Sequence, residues 1–252
     1  MLHSALCSIT FRDLPVEEII SLCKDAGIQG IEWGGDVHVP HGEVEIAREV
    51  GEKTRAAGLG ISAYGSYYRG EEDDLPFAKV LASAKGLGAT LIRVWAGRKS
   101  SEDSSPEDRK TLATAIREAV LLADAEGITV ALEYHGNTLT DTQESAHQFL
   151  REVGTDKLKL FWQPRTRGQF ENDIPELKAV LPHLANVHCF HWGANGWKDR
   201  FPLQDGVKDW AAYLEYIRQA EGDRYITLEF VKDNDPEQFR ADANTLNDLI
   251  TV

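Results

Sequence analysis

The sequence predicts an α/β protein, a single-domain (β/α)8 TIM barrel over residues 1–252, from three observations. Eight short β-rich runs alternate with eight longer amphipathic stretches. The pairs recur at a spacing of roughly 30 residues without sequence self-similarity, which marks repeated architecture and not a solenoid. No linker or low-complexity segment divides them. A doubly wound sheet accommodates fewer strands around its crevice.

Taken in order, the strands are predicted at Ser4 to Ile9, Gly30 to Trp33, Gly60 to Tyr64, Thr90 to Trp95, Ile128 to Glu133, Lys159 to Gln163, Asn186 to Phe190 and Tyr225 to Glu229. The helices follow at Val16 to Ala26, Val44 to Ala57, Phe77 to Leu87, Glu107 to Glu126, Thr142 to Val153, Ile174 to Leu181, Val207 to Ala220 and Glu237 to Ile250. Start signals support the divisions: Ser105-Pro106-Glu107-Asp108 and Asp235-Pro236-Glu237 each set a capping residue before a proline and first-turn acids. Thr140 with Gln143, or Asp141 with Glu144, matches a capping box. Glycine follows several helices, as at Leu87-Gly88 and Glu126-Gly127, where a left-handed turn ends the helix.

Composition narrows the function. With 42% hydrophobic and 27% charged residues, and no apolar run long enough to span a bilayer as a helix, the chain reads as a soluble globular protein. The amino end lacks the basic flank and apolar stretch of a secretory signal, so a cytoplasmic location is expected. Cys7, Cys23 and Cys189 are scattered and read as buried thiols, not as a disulfide or zinc framework. Lys and Arg number 27 against 41 Asp and Glu, a formal net charge of −14, which opposes a nucleic-acid partner. No Gly-rich phosphate fingerprint is present, although the loop Arg165-Thr166-Arg167-Gly168 is basic enough to meet a phosphate. A homo-oligomer is left open.

In a barrel of this kind the chemistry gathers at the carboxyl ends of the strands. Four consecutive runs there end in or carry Glu133, Gln163, His188 and Glu229. All are oxygen or imidazole donors, and two are anionic, which suits one divalent cation; the oxygen-rich set favours Mn or Mg and leaves Zn, Co or Ni open. The bland alternative is a set of salt bridges across the mouth. Five of the six tryptophans, Trp33, Trp95, Trp162, Trp192 and Trp197, fall at strand ends or in the loops beyond them, where flat aromatic faces suit a sugar. His135, His191 and Glu32 stand near the same rim as candidate substrate or ligand-orienting groups, and Arg93 can bond a substrate oxygen or pair with a carboxylate.

Specific segments then resemble the xylose isomerase-like barrels of the sugar phosphate isomerase/epimerase superfamily. They are Leu132-Glu133-Tyr134-His135-Gly136-Asn137-Thr138-Leu139-Thr140, Phe161-Trp162-Gln163-Pro164, Val187-His188-Cys189-Phe190-His191-Trp192, and Phe201-Pro202-Leu203 ahead of Asp209-Trp210. The resemblance implies that Glu133, Gln163, His188 and Glu229 hold the metal, with Gln163 where relatives carry Asp, and that Arg200 binds substrate. It further implies a sugar isomerase or epimerase in which Glu133 and Glu229 exchange protons alpha to a carbonyl through an enediolate. The alternative is a lyase of the same superfamily that dehydrates a keto-sugar or cleaves its glycosidic bond by beta-elimination, with His135 or His191 protonating a leaving oxygen. A nuclease, for which His38 and His41 offer extra ligands, and a non-catalytic sugar-binding protein stand behind these.

Overall fold

A computed structural model describes the chain except for residues 72–74, 165–169 and 252. The basic loop at 165–168 therefore lies outside the described residues.

Eight parallel strands close in the order β1-β10-β7-β6-β5-β4-β3-β2, which makes the protein a (β/α)8 TIM barrel. They are β1 (Leu2–Cys7), β2 (Gly30–Gly34), β3 (Gly60–Gly65), β4 (Leu91–Val94), β5 (Thr129–Glu133), β6 (Lys159–Trp162), β7 (Leu184–Cys189) and β10 (Arg224–Leu228). The helices are α1 (Val16–Asp25), α2 (Val44–Ala56), α3 (Phe77–Leu87), α4 (Pro106–Asp124), α5 (Gln143–Val153), α6 (Phe170–Val180), α7 (Val207–Ile217) and α8 (Pro236–Thr251). Between β7 and α7 the chain adds a hairpin, β8 (His191–Trp192) against β9 (Arg200–Phe201), which the sequence patterning does not announce. Two-residue strands carry no readable alternation.

Local chemistry explains the boundaries. Ser105 caps α4 by accepting from the Asp108 amide while the Asp108 side chain accepts from Ser105, a complete capping box. At α5 the cap is Thr142, which accepts from the Ser145 amide. This corrects the expectation of Thr140 or Asp141, because Thr140 instead donates to the Glu133 carbonyl at 2.5 Å and so ties the β5 exit loop back to its strand. Gly88 ends α3 at φ 81°, a conformation that disfavours side chains.

Strand alternation divides the residues into two sets. Outward-facing Leu6, Ile31, Ile92, Leu132, Leu160, Val187 and Leu228 join the apolar layer under the helices. Inward, Ala63, Leu91, Ala131 and Phe161 form a small apolar plug in the barrel interior. Toward the amino ends, the Asn186 amide donates to Ser62 O at 3.0 Å and accepts from Tyr225 N at 2.9 Å, so this buried amide is paired through both its atoms. No helix among the described residues is long and apolar enough to cross a membrane.

Candidate active site

Above the plug, every strand but β3, where Gly65 stands, presents an inward side chain with a functional group. Glu133 ends β5, Gln163 follows β6, His188 lies in β7 and Glu229 follows β10. From β2 and β4 come Glu32 and Arg93, and from β1 Cys7. The carboxylates, His188 and Arg93 are all 5% exposed or less.

His188 is the hub. Its Nδ1 is 3.2 Å from Gln163 Oε1 and 3.5 Å from both Glu133 Oε1 and Glu229 Oε2. Its Nε2 is 3.1 Å from Glu32 Oε2. Gln163 donates its amide to Tyr134 O at 2.6 Å, which turns its carbonyl oxygen toward His188. Arg93 donates from Nε to Glu32 at 2.7 Å and from Nη1 to Glu133 at 2.5 Å, and the Trp95 indole also donates to Glu133 Oε2. Cys7 Sγ lies within 4.8 Å of ligand atoms of His188 and Glu229.

These residues fit a divalent ion by spacing and by charge. Donors bound to one ion at about 2.1 Å stand about 3.0–3.4 Å apart, close to the distance of each of Gln163, Glu133 and Glu229 from His188 Nδ1, while the Cys, His and carboxylate donors lying mutually within 4.8 Å among the described residues are Cys7, His188 and Glu229. Three buried carboxylates face one guanidinium, so two negative charges are in excess and a divalent cation neutralises them. Without an ion, protons fill that role. Burial raises the Glu229 carboxyl, with Glu133 adding to the rise against the pull of His188, and its pKa reaches about 7. Burial depresses the His188 imidazolium, but Glu229 and Glu32 overcome this and hold it well above the usual histidine value. Burial also penalises the Glu133 anion, yet Arg93 and His188 hold its pKa well below the ordinary carboxylate range.

A cavity of about 810 Å³ opens over this cluster. Trp95, His135, Trp192, Trp197 and Arg200 line it, as the sequence leads one to expect. His135 stacks on Trp95 with ring centroids 4.4 Å apart and donates from Nδ1 to Gly136 O at 2.7 Å, leaving a lone pair on Nε2. Arg200 donates to Trp197 O at 2.6 Å and to Asn234 at 2.5 Å and lies over the Phe230 ring; among the described residues it meets no carboxylate within ion-pair distance.

Four expected residues stand elsewhere. Trp33 points outward and bonds Thr54 of α2 at 3.1 Å; Trp162 points outward and bonds Glu176 of α6 at 3.1 Å. Both are fully buried in the helix layer and do not line the cavity, because each adjoins an inward residue, Glu32 or Gln163, and alternation sends it to the other face. His191 packs on Gly206 and Phe201 beside a small separate recess. Glu32 is sealed beneath the cavity wall at 0% exposed and does not line it.

The cavity also enlists Tyr67, Arg12 and Phe230, which sequence reasoning passed over. Tyr67 and Arg12 lie just past the carboxyl ends of β3 and β1, a position that itself was a signal. Phe230 is at φ 49°, unusual for a bulky residue, and its amide is held by Thr10 Oγ1 at 2.9 Å next to Glu229.

Comparison with known proteins agrees with this architecture. A 3-dehydroshikimate dehydratase from Bacillus anthracis is 24% identical over 96% of this chain and 95% of its own length. An L-ribulose-5-phosphate 3-epimerase from Escherichia coli is 22% identical over 66% of this chain and 61% of its own. The crystal structure of the IOLI protein with a bound zinc atom superposes with a TM-score of 0.75 at 17% identity, covering 99% of this chain and 98% of that one. The relatives are thus enzymes of more than one reaction type. The family model for xylose isomerase-like TIM barrels matches residues 20–249, and the chain belongs to that family.

Proposed function

We propose that the protein is a divalent-metal lyase that dehydrates a small, anionic, polyhydroxylated keto-substrate. His135 carries this reading: it is an imidazole on the cavity wall, outside the ligand cluster, whose Nε2 has a lone pair to accept a proton. Glu133, Gln163, His188 and Glu229 would hold the ion, which supplies Lewis-acid polarisation of the substrate carbonyl when bound.

Arg200 receives the anionic group, and Trp95, Trp192 and Phe230 form apolar walls that hold the ring or chain and keep water away. His135 Nε2 takes the proton alpha to the carbonyl. The electrons of that C–H bond become a carbon–carbon double bond as the beta C–O bond breaks, and the same imidazolium returns its proton to the leaving hydroxyl as water. No oxidant or reductant is needed. Glu133 is a poor proton carrier here, since Arg93 and Trp95 both donate to its Oε2 and keep it anionic. The near-full-length match to a dehydratase supports the same choice, against a match over two thirds of the chain to an epimerase.

Epimerisation is the second reading, favoured by Glu229, whose carboxyl, raised to a pKa of about 7 by burial, lines the cavity where it can exchange a proton with a substrate carbon. Incubation of the zinc- or manganese-loaded protein with hydroxylated cyclic keto acids and ketoses in D2O separates the two. Dehydration yields an ultraviolet-absorbing conjugated product, whereas epimerisation yields a deuterated stereoisomer with no new double bond. Neither product, and no deuterium uptake across the panel, sinks both.

A further inference from the structure

Glu32 and Arg93 enter the sequence reading as substrate-binding candidates, yet both of Glu32's oxygens and two faces of the Arg93 guanidinium are already engaged inside the barrel. We infer that the two are positioning residues: together they fix the ring proton of His188 on Nε2 and reserve Nδ1 for the ion. This rests on the metal reading above.

The argument is one of hydrogen accounting. Arginine only donates, so Arg93 Nε fills Glu32 Oε1 and Nη1 fills Glu133 Oε2. The remaining Glu32 oxygen, Oε2, is 3.1 Å from His188 Nε2 and accepts, so that nitrogen carries a proton. On the other side of the ring, Nδ1 faces Gln163 Oε1, Glu133 Oε1 and Glu229 Oε2, the atoms suited to share an ion. Glu133 is oriented by the same clamp: with Oε2 committed to Arg93 and Trp95, Oε1 is the oxygen presented to the cluster. The four side chains close a ring, Glu32 to Arg93 to Glu133 to His188 and back.

The backbone is shaped for this ring. The β2–β3 register shifts between Ile31 and Glu32, an irregularity that re-aims a side chain. Opposite Arg93 stands Gly65, where a Cβ would fall 2.7 Å from Glu32 Oε1 and 2.8 Å from Arg93 Nη2. Only glycine leaves the ion pair its space. Carboxylate–histidine–metal relays of this kind fix tautomer and ring orientation, and losing such a partner costs about 10- to 100-fold in metal affinity.

The test is Glu32→Gln. Its amide has one acceptor, which Arg93 must take, so the NH2 faces His188 Nε2 and demands a lone pair there; the ring proton moves to Nδ1 and obstructs the ion. Zinc titrated calorimetrically should bind Glu32→Gln roughly 10- to 100-fold more weakly than wild type, with both proteins folded by circular dichroism. Equal affinities would overturn the inference and leave the metal reading standing; a wild type that binds no zinc would overturn both. Nitrogen-15 NMR of histidine-labelled, zinc-loaded wild type provides a check that needs no variant. A proton on His188 Nε2 with a metal-shifted Nδ1 supports the assignment, and the reverse tautomer refutes it.

Discussion

The two halves of the barrel mouth use the same residue types for different ends. From β5 onward the strands present Glu133, Gln163, His188 and Glu229, three of which crowd around the fourth at His188 Nδ1. From β2 and β4 come Glu32 and Arg93, equally buried and equally charged, but bonded to their neighbours and turned away from that point. A buried glutamate at a strand end is therefore not a ligand by type alone. What distinguishes Glu133 from Glu32 is how many of its oxygens the protein has already satisfied.

The largest effect expected lies outside both halves. His135→Gln should lower turnover by about 10²- to 10⁴-fold, the range of general acid–base catalysis, while zinc affinity stays at the wild-type value. Steady-state kinetics on the dehydrated substrate, with calorimetry on the same samples, checks both parts; a large loss of zinc binding would move His135 into the ligand set.

Changing the neutral ligand tests the half around His188 directly. Gln163→Leu removes an oxygen donor and should weaken zinc binding by roughly 10-fold or more, whereas Gln163→Asp adds a charge beside the ion and should tighten it. Identical isotherms for the two variants would show that Gln163 only bonds Tyr134 and His188.

A smaller effect follows from the outward tryptophans. Trp162→Phe deletes the bond to Glu176 and should cost about 1.5–3 kcal/mol of stability, the range for a lost hydrogen bond to a charged group, with KM unchanged because the ring never meets the cavity. Chemical denaturation and kinetics read the two quantities separately.

The smallest effect sits at the amino end of α4. The Ser105 amide and hydroxyl, with Lys99, lower the Asp108 carboxyl to a pKa of about 2, below its usual 3.8. Its contribution to stability is thus complete above the usual value and lost as pH falls through about 2. The Tm gap between wild type and Asp108→Asn should be widest at pH 5 and above and should narrow as acid is added. A gap that widens in acid would contradict the capping role.

The sequence made the half around His188 readable because each donor closes a β-rich run or, like His188, lies near its end, and the fold class follows from the same alternation. The orienting half was harder: Glu32 looks like a rim residue until the register shift beside it and the gap at Gly65 are seen. Trp33 and Trp162 were misread although the information was present, since each adjoins an inward residue and must face outward. Trp95 obeys the same rule in the opposite sense, because it stands two residues beyond inward Arg93 and so faces the cavity. The hairpin bearing Trp197 and Arg200 left no periodic trace, and its placement depends on contacts distant in the chain, such as Arg200 with Asn234.

The split among the tryptophans has an optical consequence. Trp33, Trp162 and Trp210 are sealed in the helix layer and will emit at short wavelength regardless of what enters the barrel. Trp95, Trp192 and Trp197 border the cavity, and Trp197, at 55% exposed, emits at the red edge. Ligand entry should therefore extinguish or blue-shift the red side of the emission band over an unchanging blue background, so the protein carries its own binding reporter without any added label.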